Sequence, residues 1–334
     1  MTDKSPSPNT ECHSSSSGND STADEFTGAY SVSNMESFSR EHEETLLQPF
    51  RYILQVPGKM IRSKLALAFN FWLKIPQEKL TAISEIILLL HNASLLIDDI
   101  EDGSTLRRGI PVAHSIYGIG STINSANYVY FLGLQKTLAL EHPQAVNVFC
   151  EQLLELHRGQ GLDIHWRDSF ACPTEEQYKQ MTICKTGGLF GLAIRLMQLF
   201  SDCDASFSKL MDILGLYFQI RDDYANLCTQ EYCDSKGYCD DLTEGKFSFP
   251  IIHAIHSRPK CQQIINIIRQ RPKDVEVKKY CVSLLQKYGS LAYTRDMLQQ
   301  LDSQAREEVK KLGDNPMLVE ILDTLQSSLN SSPL

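Results

Sequence analysis

The chain has 334 residues, of which 42% are hydrophobic and 22% are charged, so it is long enough to bury the core of a globular protein. Its formal net charge is −9, which argues against a nucleic-acid-binding protein, because phosphate backbones are bound by basic surfaces. The most apolar stretch, residues 83–97, is interrupted by polar side chains and is shorter than the ~20 residues that span a bilayer. We therefore expect no transmembrane segment.

Residues 1–40 are rich in Ser, Thr, Asn and Gly, and no apolar signal-peptide core follows Met1. Such a segment buries too little apolar surface to offset the entropy of ordering it, so it is predicted to be a disordered extension. A similar composition predicts a flexible tail at residues 327–334. The ten cysteines include no CxxC pair, and we expect reduced thiols and a cytoplasmic location.

Residues 41–326 are predicted to form one helical domain. Proline breaks helix interiors, and the widely spaced prolines of this region leave long segments in which helices can run. Apolar residues recur there at intervals of three and four, as at Leu65, Ala68, Phe69 and Trp72, whereas the alternation typical of strands is nearly absent. The pattern indicates an all-α fold of roughly ten or more helices.

Two acidic clusters each end an apolar segment. In the first, Asp98 and Asp102 are four residues apart, which places both side chains on one face of a helix, and Asp99 lies beside them. The second cluster repeats this spacing with Asp222, Asp223 and Asn226.

Carboxylates at the ends of apolar helices are costly unless a cation or solvent compensates their charge. Carboxylate pairs without neighbouring His or Cys suit magnesium that is bound together with a substrate diphosphate. A single cluster could equally be a solvated helix end, but the presence of two favours the metal-binding interpretation.

Basic and polar residues near the clusters are candidates for anion binding. They are Lys59, Arg62, Arg107, Arg108, Lys246, and Lys185 and Thr186 of a Lys-Thr-Gly-Gly sequence. Gln219 is four residues before Asp223 and shares its helix face. His91 is polar within an apolar segment, so it needs a partner from the core or from a ligand. Gln160 and Asp163 add polar groups to another helix, and the sequence assigns them no role.

Together these motifs resemble the trans-isoprenyl diphosphate synthases. The resemblance rests on DDIED at 98–102 with its following arginines, the Lys-Thr-Gly-Gly sequence, QIRDDYANL and DLTEGKFSFP, and it covers about residues 42–312. The amino-acid sequence of each motif most resembles that of animal geranylgeranyl diphosphate synthases. The resemblance implies a bundle of long helices around a deep apolar cavity, with both acidic motifs at its mouth, and at least a homodimer.

The resemblance also implies roles for individual residues. Asp98, Asp102 and Asp222 would bind Mg²⁺, about three ions with substrate present, supported by Asp99 and Asp223. Contacts to an allylic diphosphate are implied for Arg107, Lys185, Thr186, Gln219, Lys236 and Lys246. Contacts to isopentenyl diphosphate are implied for Lys59, Arg62, His91 and Arg108. Asn226 stands where many relatives have aspartate, and the Ser-rich extension has no counterpart among the motifs.

The implied reaction is ionisation of dimethylallyl, geranyl or farnesyl diphosphate, attack by the isopentenyl double bond, and loss of a proton. Relatives that stop at a farnesyl product commonly carry aromatic residues just before the first motif, where this chain has Ala93 and Ser94. These small residues therefore predict a geranylgeranyl product, and Phe at either position is expected to shorten it.

Several alternatives remain. The chain could be a farnesyl or longer-chain synthase, or a non-catalytic regulatory subunit, although such subunits generally lose aspartates that are intact here. A terpene cyclase is disfavoured because its second motif typically combines Asn or Asp with Ser or Thr and Glu. A calcium-binding helical protein fits less well, because no Gly-containing EF-hand loop is present.

Overall fold

The computed structural model describes residues 40–58, 61–229 and 237–330, with the backbone alone at residues 40 and 328–330. The chain divides into two units, residues 1–43 and residues 44–334. Of the extension predicted at residues 1–40, only Arg40 is among the described residues. The second unit contains the remainder of the helical domain expected from the sequence.

The described residues form sixteen α-helices and one short antiparallel sheet, which confirms the all-α fold class. The helices are α1 (Arg40–Leu46), α2 (Gln48–Leu54), α3 (Ile61–Leu73), α4 (Gln77–Asp102), α5 (Ala113–Tyr117), α6 (Ile119–Leu138), α7 (Ala145–Ser169), α8 (Glu175–Lys185), α9 (Gly187–Gln198), α10 (Ser208–Cys228), α11 (Asp240–Glu244), α12 (Phe249–Ser257), α13 (Gln263–Arg269), α14 (Val275–Lys287), α15 (Ser290–Lys311) and α16 (Pro316–Asn330). The strands are β1 (Leu106–Arg107) and β2 (Ile110–Pro111), with Leu106 opposite Pro111. Helix α16 continues past residue 326, where the sequence placed the end of the helical domain, and residues 331–334 lie outside the described residues.

Local sequence determines where the helices of the site begin and end. The side chain of Thr174 accepts from the Gln177 backbone, and the Gln177 side chain accepts from the Thr174 backbone, a capping box that starts α8. Helix α8 ends at Lys185 and α9 begins at Gly187, so the Lys-Thr-Gly-Gly sequence is a break between two helices. Helix α4 ends directly after the first acidic motif because Gly103 adopts a left-handed conformation, with φ of 65°.

The first acidic motif is positioned by α4, which packs against α2, α3, α6 and α9. Ile83, Ile86, Leu90 and Leu96 on this helix have no exposed surface. Fully burying each such side chain contributes about 1.5–3 kcal/mol, so α4 is firmly held and its carboxylates have fixed positions.

Among the described helices, α4 is also long and apolar enough to cross a membrane by length and composition. This is weak evidence for a membrane span, because the buried core helix of a globular protein passes the same test.

Candidate active site

A cavity of about 1050 Å³ opens at the ends of α4 and α10. It brings together predicted site residues from four helices, from β1 and its turn, and from the segments that follow α8 and α11. These are Arg62, His91, Ser94, Asp98, Arg107, Arg108, Lys185, Thr186, Gln219, Asp222 and Lys246. Lys59 and Lys236 were also predicted, and they lie outside the described residues.

In the first motif, Asp98 and Asp99 are joined by Arg107. Asp98 lines the cavity, and its side chain is 22% exposed, whereas that of Asp99 is only 1% exposed. Arg107 donates from Nε to Asp99 Oδ1 at 2.7 Å and from Nη2 to Asp98 Oδ2 at 3.1 Å. Burial lowers the pKa of Arg107, but Asp99 and Asp98 outweigh this effect and raise it. Arg107 is therefore a permanently charged link that holds the two carboxylates.

Asp102 is buried between two cations. Arg167 Nη1 donates to Asp102 Oδ1 at 2.7 Å, and Lys246 Nζ donates to Asp102 Oδ2 at 2.6 Å. Burial raises the pKa of Asp102, while Lys246 acts in the opposite direction. In this arrangement both carboxylate oxygens of Asp102 are bound by the protein.

The second motif divides between the cavity and the core. Asp222 lines the cavity, whereas Asp223 is 4% exposed and accepts three hydrogen bonds. Its donors are Tyr178 Oη at 2.6 Å, the Phe249 backbone N–H at 2.7 Å and Gln219 Nε2 at 2.9 Å. Asp223 thus ties α8, α10 and the start of α12 together around Asp222.

Two lysines from other segments of the chain, one at the end of α8 and one just after α11, face the acidic motifs. Lys185 Nζ is 2.6 Å from Asp163 Oδ2, and Lys246 Nζ is 2.6 Å from Glu244 Oε2 as well as from Asp102. Burial lowers the pKa of each lysine, but these carboxylates outweigh it, so each pKa lies above its ordinary value. Both lysines are cationic and line the cavity.

A second basic group lies beside α2 and α3. Arg62 Nη1 is 3.0 Å from His91 Nε2, and Arg108 donates to the carbonyl oxygens of Ile53 and Val56 at 3.2 and 2.7 Å. Burial, and then the neighbouring arginines, hold the pKa of His91 well below its ordinary value, so the imidazole is neutral and accepts from Arg62. Burial also lowers the pKa of Arg62 to about 10, despite the opposing effect of Asp222.

The two predicted chain-length positions lie on different sides of α4. Ser94 lines the cavity and donates to the His91 carbonyl at 2.8 Å. Ala93 has no exposed surface and belongs to an apolar cluster with Phe50, Ala126 and other residues. The expectation that Ala93 controls product length directly is therefore corrected, because its side chain packs against neighbouring helices instead of facing the cavity.

Sequence reasoning missed the residues that support the motifs. Asp163 binds Lys185, Arg167 binds Asp102, and Gln160 Nε2 donates to Asp98 Oδ1 at 3.3 Å and to Glu101 Oε2 at 2.7 Å. The three residues are spaced at three and four along α7, so helical periodicity could have shown that they share a face. What that face contacts depends on tertiary packing.

The charges that line the cavity suit a complex of diphosphates and metal ions. Among the described lining residues, six are cationic and three are carboxylic, leaving a net of three positive charges, which suits polyanionic ligands. Asp98 and Asp222 supply hard oxygen ligands of the kind that Mg²⁺ prefers. Within the described residues, no group of three or more His, Cys, Asp or Glu side chains is placed to hold a metal ion.

An all-α bundle with two acidic motifs and facing cations at the mouth of an apolar cavity defines an isoprenoid synthase. The family model for polyprenyl synthetase matches residues 43–285. The chain belongs to the polyprenyl synthetase family and is a prenyltransferase.

Individual relatives are similar over most of their length. A terpene synthase of Matsumurasca onukii is 68% identical over 289 residues, which are 86% of this chain and 95% of that protein. A geranylgeranyl pyrophosphate synthase of Mucor circinelloides f. lusitanicus is 50% identical over 287 residues, 86% of this chain and 95% of its own. A geranylgeranyl pyrophosphate synthase of Aspergillus flavus is 55% identical over 275 residues, 82% of this chain and 81% of its own.

Proposed function

We propose that the chain is a geranylgeranyl diphosphate synthase that condenses isopentenyl diphosphate with dimethylallyl, geranyl or farnesyl diphosphate. The observation that carries the proposal is a single cavity that has apolar walls and contains two basic groups. Lys185 and Lys246 face the acidic motifs. Arg62, on α3, and Arg108 form the other group. The similarity to geranylgeranyl pyrophosphate synthases supports the product. The proposed route to product depends on these charges and uses no side-chain nucleophile.

In this proposal the allylic diphosphate binds to Lys185, Lys246, Thr186, Gln219 and Arg107. Lys185 and Lys246 are cationic and balance the negative charge that grows on the diphosphate as the allylic C–O bond breaks. The allylic cation that remains lies over apolar walls that include Leu189 and Phe190, where little water can quench it.

Isopentenyl diphosphate is proposed to bind to Arg62, Arg108 and neutral His91, on the other side of α4's end. Its double bond attacks the allylic cation and forms the new C–C bond. A proton then leaves the condensed cation, and we propose that the departing diphosphate accepts it, so that charge and atoms balance.

We further propose that Asp98, Asp102 and Asp222 hold Mg²⁺ together with the substrate diphosphate. Bound Mg²⁺ supplies additional positive charge against the leaving group. Asp102 must exchange its contact with Lys246 for this purpose, which would free the Lys246 ammonium for the diphosphate.

In the test, labelled isopentenyl diphosphate and each allylic primer in turn are added to the purified protein. The products are dephosphorylated and their chain lengths are determined by chromatography. We expect geranylgeraniol to dominate, and Asp98→Ala or a chelator to abolish it. Farnesol or longer alcohols would contradict the proposed chain length. No condensation with any primer would contradict the catalytic proposal and favour a regulatory subunit.

A second candidate is a terpene synthase, because the relative at 68% identity carries that name. The products of the two reactions differ in polarity. A prenyl diphosphate synthase makes a product that carries a diphosphate, whereas a terpene synthase makes one that does not. Extraction into hexane before any phosphatase treatment separates them. Labelled hydrocarbon or alcohol in that extract would favour the second candidate.

We also propose that the chain forms a homo-oligomer, a dimer or larger, in the cytoplasm. Large apolar residues on α6 are exposed, including Phe131 at 69% and Leu138 at 60%. The eight cysteines in the described part of the chain are free thiols, as a reducing compartment requires. Sedimentation equilibrium of the wild-type chain and of Phe131→Glu tests the oligomer, which the substitution should weaken.

A further inference from the structure

The last position of the second acidic motif has a contact that the mechanism above does not use. Asn226 is 2% exposed, and its Oδ1 accepts from the backbone N–H of Asp241 at 3.3 Å, in the first turn of α11. Its Nδ2 is buried and has no hydrogen-bond partner among the described residues. The amide oxygen is therefore the functional half of this side chain.

The same residue, Asp241, also fixes the segment that carries Lys246, through its backbone carbonyl. The Asp241 carbonyl accepts from the backbone N–H groups of Gly245 and Lys246, both at 3.0 Å. Gly245 has φ of 79°, a left-handed conformation that favours glycine and turns the chain back after α11. Lys246 then reaches Asp102, in the first motif, at 2.6 Å.

We propose that Asn226 is a positioning residue for Lys246, so that the second acidic motif holds the cation that faces the first. Asn226 fixes α11, α11 fixes the Lys246 backbone, and Lys246 contacts the allylic diphosphate when that substrate is bound. This proposal rests on the proposed function, because it assigns Lys246 to that diphosphate. It differs from a metal-ligand role for Asn226, since Asn226 does not line the cavity and its oxygen accepts from a backbone N–H.

The test is a double-mutant cycle between Asn226→Leu and Lys246→Met. Leu removes the acceptor at nearly constant volume, and we expect kcat/KM for the allylic diphosphate to fall about tenfold, with the KM for isopentenyl diphosphate unchanged. Because Asn226 acts through Lys246, the double variant should be no worse than Lys246→Met alone. Asn226→Asp keeps an acceptor and loses no hydrogen bond, so it should rescue most of the activity.

The matched control is Asn315→Leu. Asn315 is also fully buried and also accepts a backbone N–H, that of Leu318 at 3.1 Å, but it lies at the start of α16. Asn315→Leu should mainly lower stability. Any effect that it has on kcat/KM should add independently to the effect of Lys246→Met. If the Asn226→Leu effect likewise adds to that of Lys246→Met, or if Asn226→Leu has no effect, the proposal is overturned.

The same cycle is measured on the binding of inorganic diphosphate with Mg²⁺ by calorimetry, which needs no turnover. If the wild-type chain binds diphosphate but condenses nothing, the proposed function is contradicted. The coupling between Asn226 and Lys246 can still be measured from the binding affinities. If Asn226→Leu does not fold, Asn226→Ala takes its place in both cycles.

Discussion

At the scale of single residues, the environment of His91 makes it a neutral hydrogen-bond acceptor. Burial and the charges of Arg62 and Arg108 all oppose its protonation, and Asp98 compensates only in part. An arginine beside a neutral imidazole keeps its full positive charge for an anion. The pair would therefore hold a diphosphate without the extra repulsion that two adjacent cations create.

This environment predicts a pH dependence of stability. The unfolded chain protonates His91 near pH 6.5 and the folded chain only at lower pH, so stability is present above 6.5 and is lost as pH falls below it. Between pH 6.5 and the lower pKa of the folded state, the loss from this one group is at most about 1.4 kcal/mol per pH unit. His91→Gln keeps an acceptor for Arg62 and removes the titration. Unfolding free energies at pH 7.5 and 5.5 should therefore differ less in the variant than in wild type, and an equal difference would contradict the assignment.

Substitution by Phe is expected to shorten the product at Ser94 but not at Ala93. Ser94 is four residues before Asp98, about 6 Å along α4, and faces the cavity. Ser94→Phe should fill the cavity below the reacting carbon and shorten the product toward farnesyl or geranyl. Chromatography of the dephosphorylated alcohols checks this, and an unchanged product distribution would remove Ser94 from the account of chain length.

Ala93→Phe is the control for Ser94→Phe. Ala93 is packed against α2, α5 and α6 through Phe50, Ala113 and Ala126. Overpacking this cluster should cost about 1–3 kcal/mol of stability, without changing product length in the folded fraction.

At the scale of elements, the contact between α7 and α8 places Lys185. A Cβ at Gly159 would lie 2.5 Å from the Lys185 backbone nitrogen and 2.9 Å from its Cα. Backbone atoms cannot move aside as a flexible side chain can, so only glycine allows this approach. The two helices are thereby close enough for Asp163, one turn further along α7, to bind Lys185.

Gly159→Ala is therefore expected to push α8 away from α7, lowering stability by about 1–3 kcal/mol and reducing kcat/KM for the allylic diphosphate. Gly161→Ala, two residues along the same helix, meets nothing within 4 Å and should gain up to about 1 kcal/mol from helix propensity. Thermal unfolding and steady-state kinetics of both variants make the comparison. Equal stability of the two would argue against the close contact.

At the scale of the whole molecule, the catalytic machinery and residues 1–43 belong to different units. The matched family region begins at residue 43. We predict that deletion of residues 1–39 leaves kcat/KM within about twofold of wild type, because these residues precede the matched family region. A much larger loss would show that the extension contributes to catalysis.

A longer deletion, to residue 56, is the contrasting variant. It removes α2, whose Phe50 and Ile53 are buried, and the carbonyl oxygens that bind Arg108. We expect this variant to lose stability and isopentenyl diphosphate binding together.

The sequence by itself determined the all-helical fold, the breaks between helices and the chemical groups of the site. These features depend on local spacing: Asp98 and Asp102 share a face, and Thr174 starts α8, whatever lies around them. The family resemblance came from the same short motifs, and the match over residues 43–285 confirmed it.

Only the tertiary structure decided which partner each group has. Asp102 meets Arg167 and Lys246, which are 65 and 144 residues away, and Lys185 meets Asp163. Ala93 and Ser94 are adjacent small residues on a helix rich in apolar residues, so the sequence pattern could not tell the cavity-facing Ser94 from the core-facing Ala93. The rotation of a buried helix is set by the shapes packed against it, and that information lies in other segments of the chain.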